Sequence, residues 1–192
     1  SIGGYAFQRC TNLTTVSIPD SVTSIARGAF YGCSNLQSVN IPLSWTTVAY
    51  YNGTGEDIFS GCSKLANITV PEGMTKLPDR AFCGCSDLVS ISLPSTLKEI
   101  GSSAFSGCSR ITSIAIPDGV TSIGESAFSE CSGLTSIVIP DGVESLSASI
   151  LYGCTGLTSV TLPSNLKSIG GYAFQRCTNL TTVSIPDSVT SI

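Results

Sequence analysis

Apolar positions recur along the chain as a fixed frame, LxxVxIPxxVxxIxxxAFxxC, filled in its first complete copy by Leu13, Val16, Ile18, Pro19, Val22, Ile25, Ala29, Phe30 and Cys33. The VxI pair alternates apolar and polar positions as a half-buried strand does, with Leu13 at its approach. Pro19 ends that strand because proline has no N–H to give to a ladder. The PxxVxxI and AFxxC stretches then make the return side, a turn and a short helical or extended stretch.

The frame repeats. Prolines stand at Pro19, Pro42, Pro71, Pro94, Pro117, Pro140, Pro163 and Pro186, spaced by 23 residues except for one step of 29. Cysteines follow the same rhythm at Cys10, Cys33, Cys62, Cys85, Cys108, Cys131, Cys154 and Cys177, and skip at the same place. One insertion of six residues therefore lies between Pro42 and Cys62, within the loop 49–57. No copy can bury its apolar side chains alone, whereas stacking puts like residues in columns about 4.8 Å apart and closes a continuous core. The expected fold is a β-rich solenoid of about eight stacked 23-residue turns, one parallel strand per turn, running as a single domain over residues 1–192.

The LxxVxI core matches the leucine-rich-repeat signature LxxLxL, and the proline after the strand together with the closing AFxxC resembles the BspA-like group of leucine-rich repeats. The resemblance covers the whole chain. It implies secreted or cell-surface proteins of bacteria and protists that adhere to host or matrix proteins and to other cells. That group has no common catalytic residues, so the resemblance carries none over.

Composition narrows the surface. Only 11% of the residues are charged, while Ser and Thr together exceed a quarter of the chain, so hydroxyls must cover the exterior. A net charge of −4 without a basic cluster argues against a nucleic-acid partner. The apolar runs are strand-sized, well short of the ~18 residues that cross a bilayer, so no membrane insertion is expected in this segment.

Candidate chemistry is sparse. The chain has no histidine, and its thirteen carboxylates fall mostly in turns, as Asp20, Asp118, Asp141 and Asp187 do after the repeat proline. No enzyme activity and no cofactor are expected, and Gly53 to Gly55 lack the glycine spacing of a phosphate loop. Eight of the nine cysteines occupy one column and read as a buried ladder of free thiols, since parallel Cβ vectors do not give a disulfide torsion. Cys83 stands off the column, free to be exposed or to bridge to another chain, and its CxC pair with Cys85 is a weak metal signal. Trp45 aligns with Val22 and is read as core packing.

The insertion is the irregular feature. It offers Tyr50, Tyr51, Asn52, Glu56 and Asp57 as a candidate contact loop, with two adjacent aromatics of the kind enriched in interfaces. Glycosylation sequons stand at Asn12, Asn52, Asn67 and Asn179. The outward strand columns hold Thr15, Ser38, Asn67, Ser90, Ser113, Ser136, Ser159 and Thr182, then Ser17, Asn40, Thr69, Ser92, Ala115, Val138, Thr161 and Ser184. That face is flat, small and uncharged, which weakens a tight protein-binding reading and leaves a carbohydrate-decorated surface, close packing on another filament or a weak contact repeated for avidity.

Ser1 to Ile25 is repeated letter for letter as Ser168 to Ile192, an offset of 167 residues, or seven periods of 23 plus the six inserted. Neighbouring turns differ at many positions, which suggests a longer unit of 167 residues duplicated recently or by design. Neither end shows a polar capping turn, which predicts a segment of a longer array, continued covalently or by copies stacked head to tail. The expected function is a structural repeat protein, extracellular or on a cell surface, that forms or extends a fibre or stalk. The alternative is an adhesion module that binds host or matrix protein or carbohydrate through its loops.

Overall fold

The frame leaves room for only one or two inward side chains before proline or the return interrupts the chain, so every strand is two or three residues long. The structure, a computed structural model, describes residues 1–49 and 56–192. Its strands are numbered along the chain and lie in two columns. The first column is the VxI segment: β1 (Thr15–Val16), β3 (Ser38–Val39), β5 (Asn67–Thr69), β7 (Ser90–Ser92), β10 (Ser136–Val138) and β12 (Ser159–Thr161). The second follows the proline turn: β2 (Ser24–Ala26), β4 (Thr47–Ala49), β6 (Lys76–Leu77), β8 (Glu99–Ile100), β9 (Ser122–Ile123), β11 (Ser145–Leu146) and β13 (Ser168–Ile169).

All pairing is parallel and one period apart, as in Thr15 with Ser38, Ser24 with Thr47 and Ser136 with Ser159. The solenoid therefore has the predicted strand and also a second one, where the sequence leaves a helical or extended return open. No helix occurs among the described residues. The first column forms strand in six turns rather than the expected eight, because the copies around Ser113 and Thr182 run without ladder pairing.

The proline turn explains the second strand. The carbonyl of each repeat proline accepts the N–H three residues on, from Pro19 with Val22 to Pro186 with Val189, both at 3.0 Å. This is a β-turn that reverses the chain after the first strand and aims Val22 and Ile25 at the core. The return side is then pinned between turns: Phe7 N–H donates to Ala29, Phe82 to Ala104 and Phe105 to Ala127, each at 2.8 Å.

Apolar columns fill the inside. Phe30, Phe59, Phe82, Phe105 and Phe128 are buried and stack ring on ring, with centroids 5.6, 6.4, 5.7 and 5.5 Å apart in that order. Trp45 is 1% exposed and meets Phe82 edge-on at 6.0 Å, the core packing expected of it.

The return bends through two left-handed positions per turn. One holds Gly28 but also Ser103 and Ser126; the other holds Gly107 but also Glu130. Gly28 serves packing too, since a Cβ there would lie 2.5 Å from the Tyr5 ring that crosses it. At Gly107, φ is +76° and a Cβ would meet only the Gly84 backbone at 3.7 Å, so the backbone conformation alone opposes a side chain. Gly107→Ala is therefore expected to cost about 1 kcal/mol, and Ser126→Gly, at φ 55°, to gain up to about as much. Their urea midpoints should move in opposite directions.

Candidate functional site

The six column cysteines from Cys33 to Cys154 are buried, Cys177 is half-buried and Cys10 is exposed; all are free thiols. Most of these thiols do a specific task. Cys33, Cys108, Cys131 and Cys154 donate to the carbonyls of Phe7, Phe82, Phe105 and Phe128 one turn back, at 3.0 to 3.2 Å. The same Phe carbonyl already accepts the N–H of the cysteine in its own turn, as Phe82 does from Cys85 at 3.2 Å. Cysteine at this position thus fills the second lone pair of a buried carbonyl. Burial is the main cause that holds these thiols protonated: Cys62 is pushed up to about 12, and Cys85, Cys108 and Cys131 well above the ordinary value, with neighbouring thiols adding to the shift.

Cys83 is buried as well, at 6% exposure, which corrects the expectation of an exposed or bridging thiol. The turn carries it inward beside Asp57, Arg80 and Ser106, where burial first and Asp57 second push its thiol up to about 12. Among the described residues, no three His, Cys, Asp or Glu side chains gather to hold a metal ion.

Of the candidate contact loop, Tyr50, Tyr51 and Asn52 lie outside the described residues. Glu56 is exposed, and its N–H donates to the Tyr5 hydroxyl at 3.2 Å. Asp57 turns inward. Arg80 reaches its Oδ1 through Nε at 3.1 Å and Nη2 at 2.9 Å, while Arg27 approaches from the other side at 3.4 Å. Asp57 is therefore committed to partners of its own chain, which its sequence neighbour Glu56 did not signal. The spacing of 23 to Arg80 is the sign that could have revealed it.

The sequon residues Asn12, Asn67 and Asn179 are exposed, and Asn52 lies outside the described residues. Asn67 is engaged within β5, where its Oδ1 accepts the Ser90 hydroxyl at 2.6 Å. Other hydroxyls are also used between turns, outside the outward strand face. The hydroxyls of Ser145 and Ser168 are 2.5 Å apart, and those of Thr135 and Thr158 donate to the carbonyls of Thr112 and Thr135 at 3.1 and 3.0 Å. Some hydroxyl protons are thus spent inside the chain, and Val138 interrupts the outward strand face at 60% exposure.

A family model described as the BspA type leucine rich repeat region matches residues 1–112, 52–169 and 99–192, with 6 copies. The chain belongs to the BspA-type leucine-rich-repeat family. Among solved structures, this BspA-type chain is similar to the T. pallidum leucine rich repeat protein, at 32% identity and a TM-score of 0.72, over 88% of this chain and 78% of that one. A leucine-rich repeat protein from Eubacterium ventriosum shares the fold at 22% identity and a TM-score of 0.52, over 98% and 77% of the two chains. So does the pneumococcal vaccine antigen PcpA, at 18% identity and 0.55, over 92% of this chain and 51% of that one. No curated protein matches the chain. Among the described residues no helix is long and apolar enough to cross a membrane.

Proposed function

We propose that this BspA-type chain is a stretch of a longer, surface-exposed structural array, a fibre or stalk built by stacking turns rather than a catalyst. The observation that carries the reading is the letter-for-letter repeat of Ser1 to Ile25 at Ser168 to Ile192, which defines a 167-residue unit above the single turn. The small, uncharged outward face supports it, because such a surface suits water or a neighbouring filament better than one tight protein partner. A surface location is supported by the family and by the description of PcpA as a vaccine antigen. Electron microscopy of native material, with the denatured mass measured on the same sample, tests it. Fibres or long arcs with an axial repeat of seven turns are expected; short arcs of single-chain size would sink the reading.

The second reading is adhesion to host or matrix protein through the insertion, favoured by the exposure of Glu56 at its edge and the two tyrosines in its sequence. Replacing Tyr50 and Tyr51 together by Ser should then weaken binding to the matched matrix protein about tenfold or more while leaving assembly intact. Equal binding by the variant would remove this reading and leave the array reading untouched.

A further inference from the structure

Adjacent turns are normally joined in three places: the two strand columns and the return side, where the column thiol adds a fourth link. One junction has none of them. β3 does not pair with β5, and β4 does not pair with β6, although β1 pairs with β3, β2 with β4, β5 with β7 and β6 with β8. On the return side, Phe30 N–H donates to Ile58 and Gly32 N–H to Ser60 one junction earlier, and Phe82 to Ala104 and Gly84 to Ser106 one junction later. The corresponding bonds from Phe59 and Gly61 to Ala81 and Cys83 are missing. Cys85 is also the one buried column thiol that does not bond the Phe carbonyl one turn back. Among the described residues, no main-chain hydrogen bond joins residues 36–61 to residues 66–84.

The gap is open on both strand faces. A cleft of about 320 Å³ separates Asn40 and Ile41 from Asn67 and Thr69, and another of about 200 Å³ separates Thr47 and Val48 from Lys76 and Asp79. The Phe59 and Phe82 rings are also the most widely spaced of the stacked column, at 6.4 Å. Elsewhere strand columns also lapse, and between the Ser113 and Ser136 turns both do, since β9 does not pair with β11, but there Phe128 N–H still reaches Ile150 at 3.0 Å and Thr135 N–H still reaches Thr112 at 3.0 Å. The six inserted residues fall in the turn just before this seam, which accounts for a turn that no longer stacks in register.

Among the described residues, what crosses the seam is side-chain contact. Trp45 meets Phe82 edge-on, and Arg80 grips Asp57, which Arg27 approaches from the first two turns. Apolar contact is non-directional and tolerates rotation, whereas inter-turn hydrogen bonds do not. We propose that this seam is a hinge and break point, at which residues 1–62 open and swing as one unit against residues 63–192, with the Asp57–Arg80 pair as the latch.

Native-state hydrogen exchange on the full chain tests it, read at ladder-bonded amides on each side: Gln37 and Thr46 in the first unit, Gly124 and Thr158 in the second. Asp57→Asn, which keeps the side chain's size, should speed exchange at Gln37 and Thr46 about tenfold and leave Gly124 and Thr158 within about twofold. Phe105→Ala should do the reverse. Trp45 fluorescence, which sees Phe82 across the seam, should change in urea before the signal of the second unit does. Acceleration of all four amides by one common factor in either variant, or a single coincident urea transition, overturns the proposal.

Discussion

Phe105→Ala lowers the stability of the array by about 3–5 kcal/mol, the cost of emptying a fully buried aromatic site that cannot collapse. Phe105 is 0% exposed and lies between Phe82 and Phe128, with ring centroids 5.7 and 5.5 Å away. Its carbonyl is also fixed, accepting the Cys131 thiol at 3.1 Å, so the surrounding turns are held open by their own hydrogen bonds and cannot close over the void. Phe7→Ala makes the contrast: at 40% exposure, its ring has one stacking partner, Phe30, and the loss should be less than half as large. Urea unfolding followed by circular dichroism measures both. Equal losses at the two sites would mean that ring stacking, rather than burial, sets the stability.

The second large effect is alkaline. A folded-state thiol here keeps its proton above the ordinary value of 9.0, to about 12 in the case of Cys62, whereas the unfolded chain releases it near 9.0. Between those limits the folded state binds more protons than the unfolded one, so stability falls as pH rises. The contribution is complete below about pH 9 and lost toward pH 12, up to about 4 kcal/mol for Cys62 alone. Cys85, Cys108 and Cys131 shift in the same direction for the same reason, so the chain should unfold well before pH 12. Replacing Cys108 and Cys131 by Ser keeps a donor for the carbonyls of Phe82 and Phe105 while removing two titrations. That variant should start less stable at pH 7 but lose less between pH 8 and 11. An unchanged alkaline slope would remove these two thiols as its cause.

The first strand column could be read from the residues because VxI alternates and recurs at a constant interval, and parallel stacking then leaves one register. The second column was hidden. Val22 and Ile25 are three apart rather than two, Val22 lies in the turn ahead of β2, and the strands of this column span only two or three residues, too short to show alternation. Left-handed positions were hidden for another reason: Gly28 and Gly107 mark them, but Ser103, Ser126 and Glu130 adopt the same backbone without a glycine to announce it. The buried cysteine column was legible as a column. Its purpose was not, since nothing in a run of cysteines says that five of the buried thiols will find the Phe carbonyl of the turn before them. Asp57 misled because it follows the exposed Glu56 in sequence, while the return path carries it toward Arg80.

Tyr5 lying across Gly28 restricts how such a chain can grow. A Cβ at Gly28 would come within 2.5 Å of the Tyr5 ring, and Arg9 approaches Gly32 in the same way, its Cγ 3.1 Å from where a Cβ would be. A turn carrying that tyrosine and arginine therefore favours a successor with glycine at both places, most strongly at Gly28, and residues 26–33 are the copy here that has both. Slippage that deletes the Gly28 turn, or inserts another turn ahead of it, separates the two partners and places a side chain against the Tyr5 ring. Duplication of a whole block keeps every such pair adjacent, which gives a steric reason for the longest identical segments to recur at 167 residues rather than at 23.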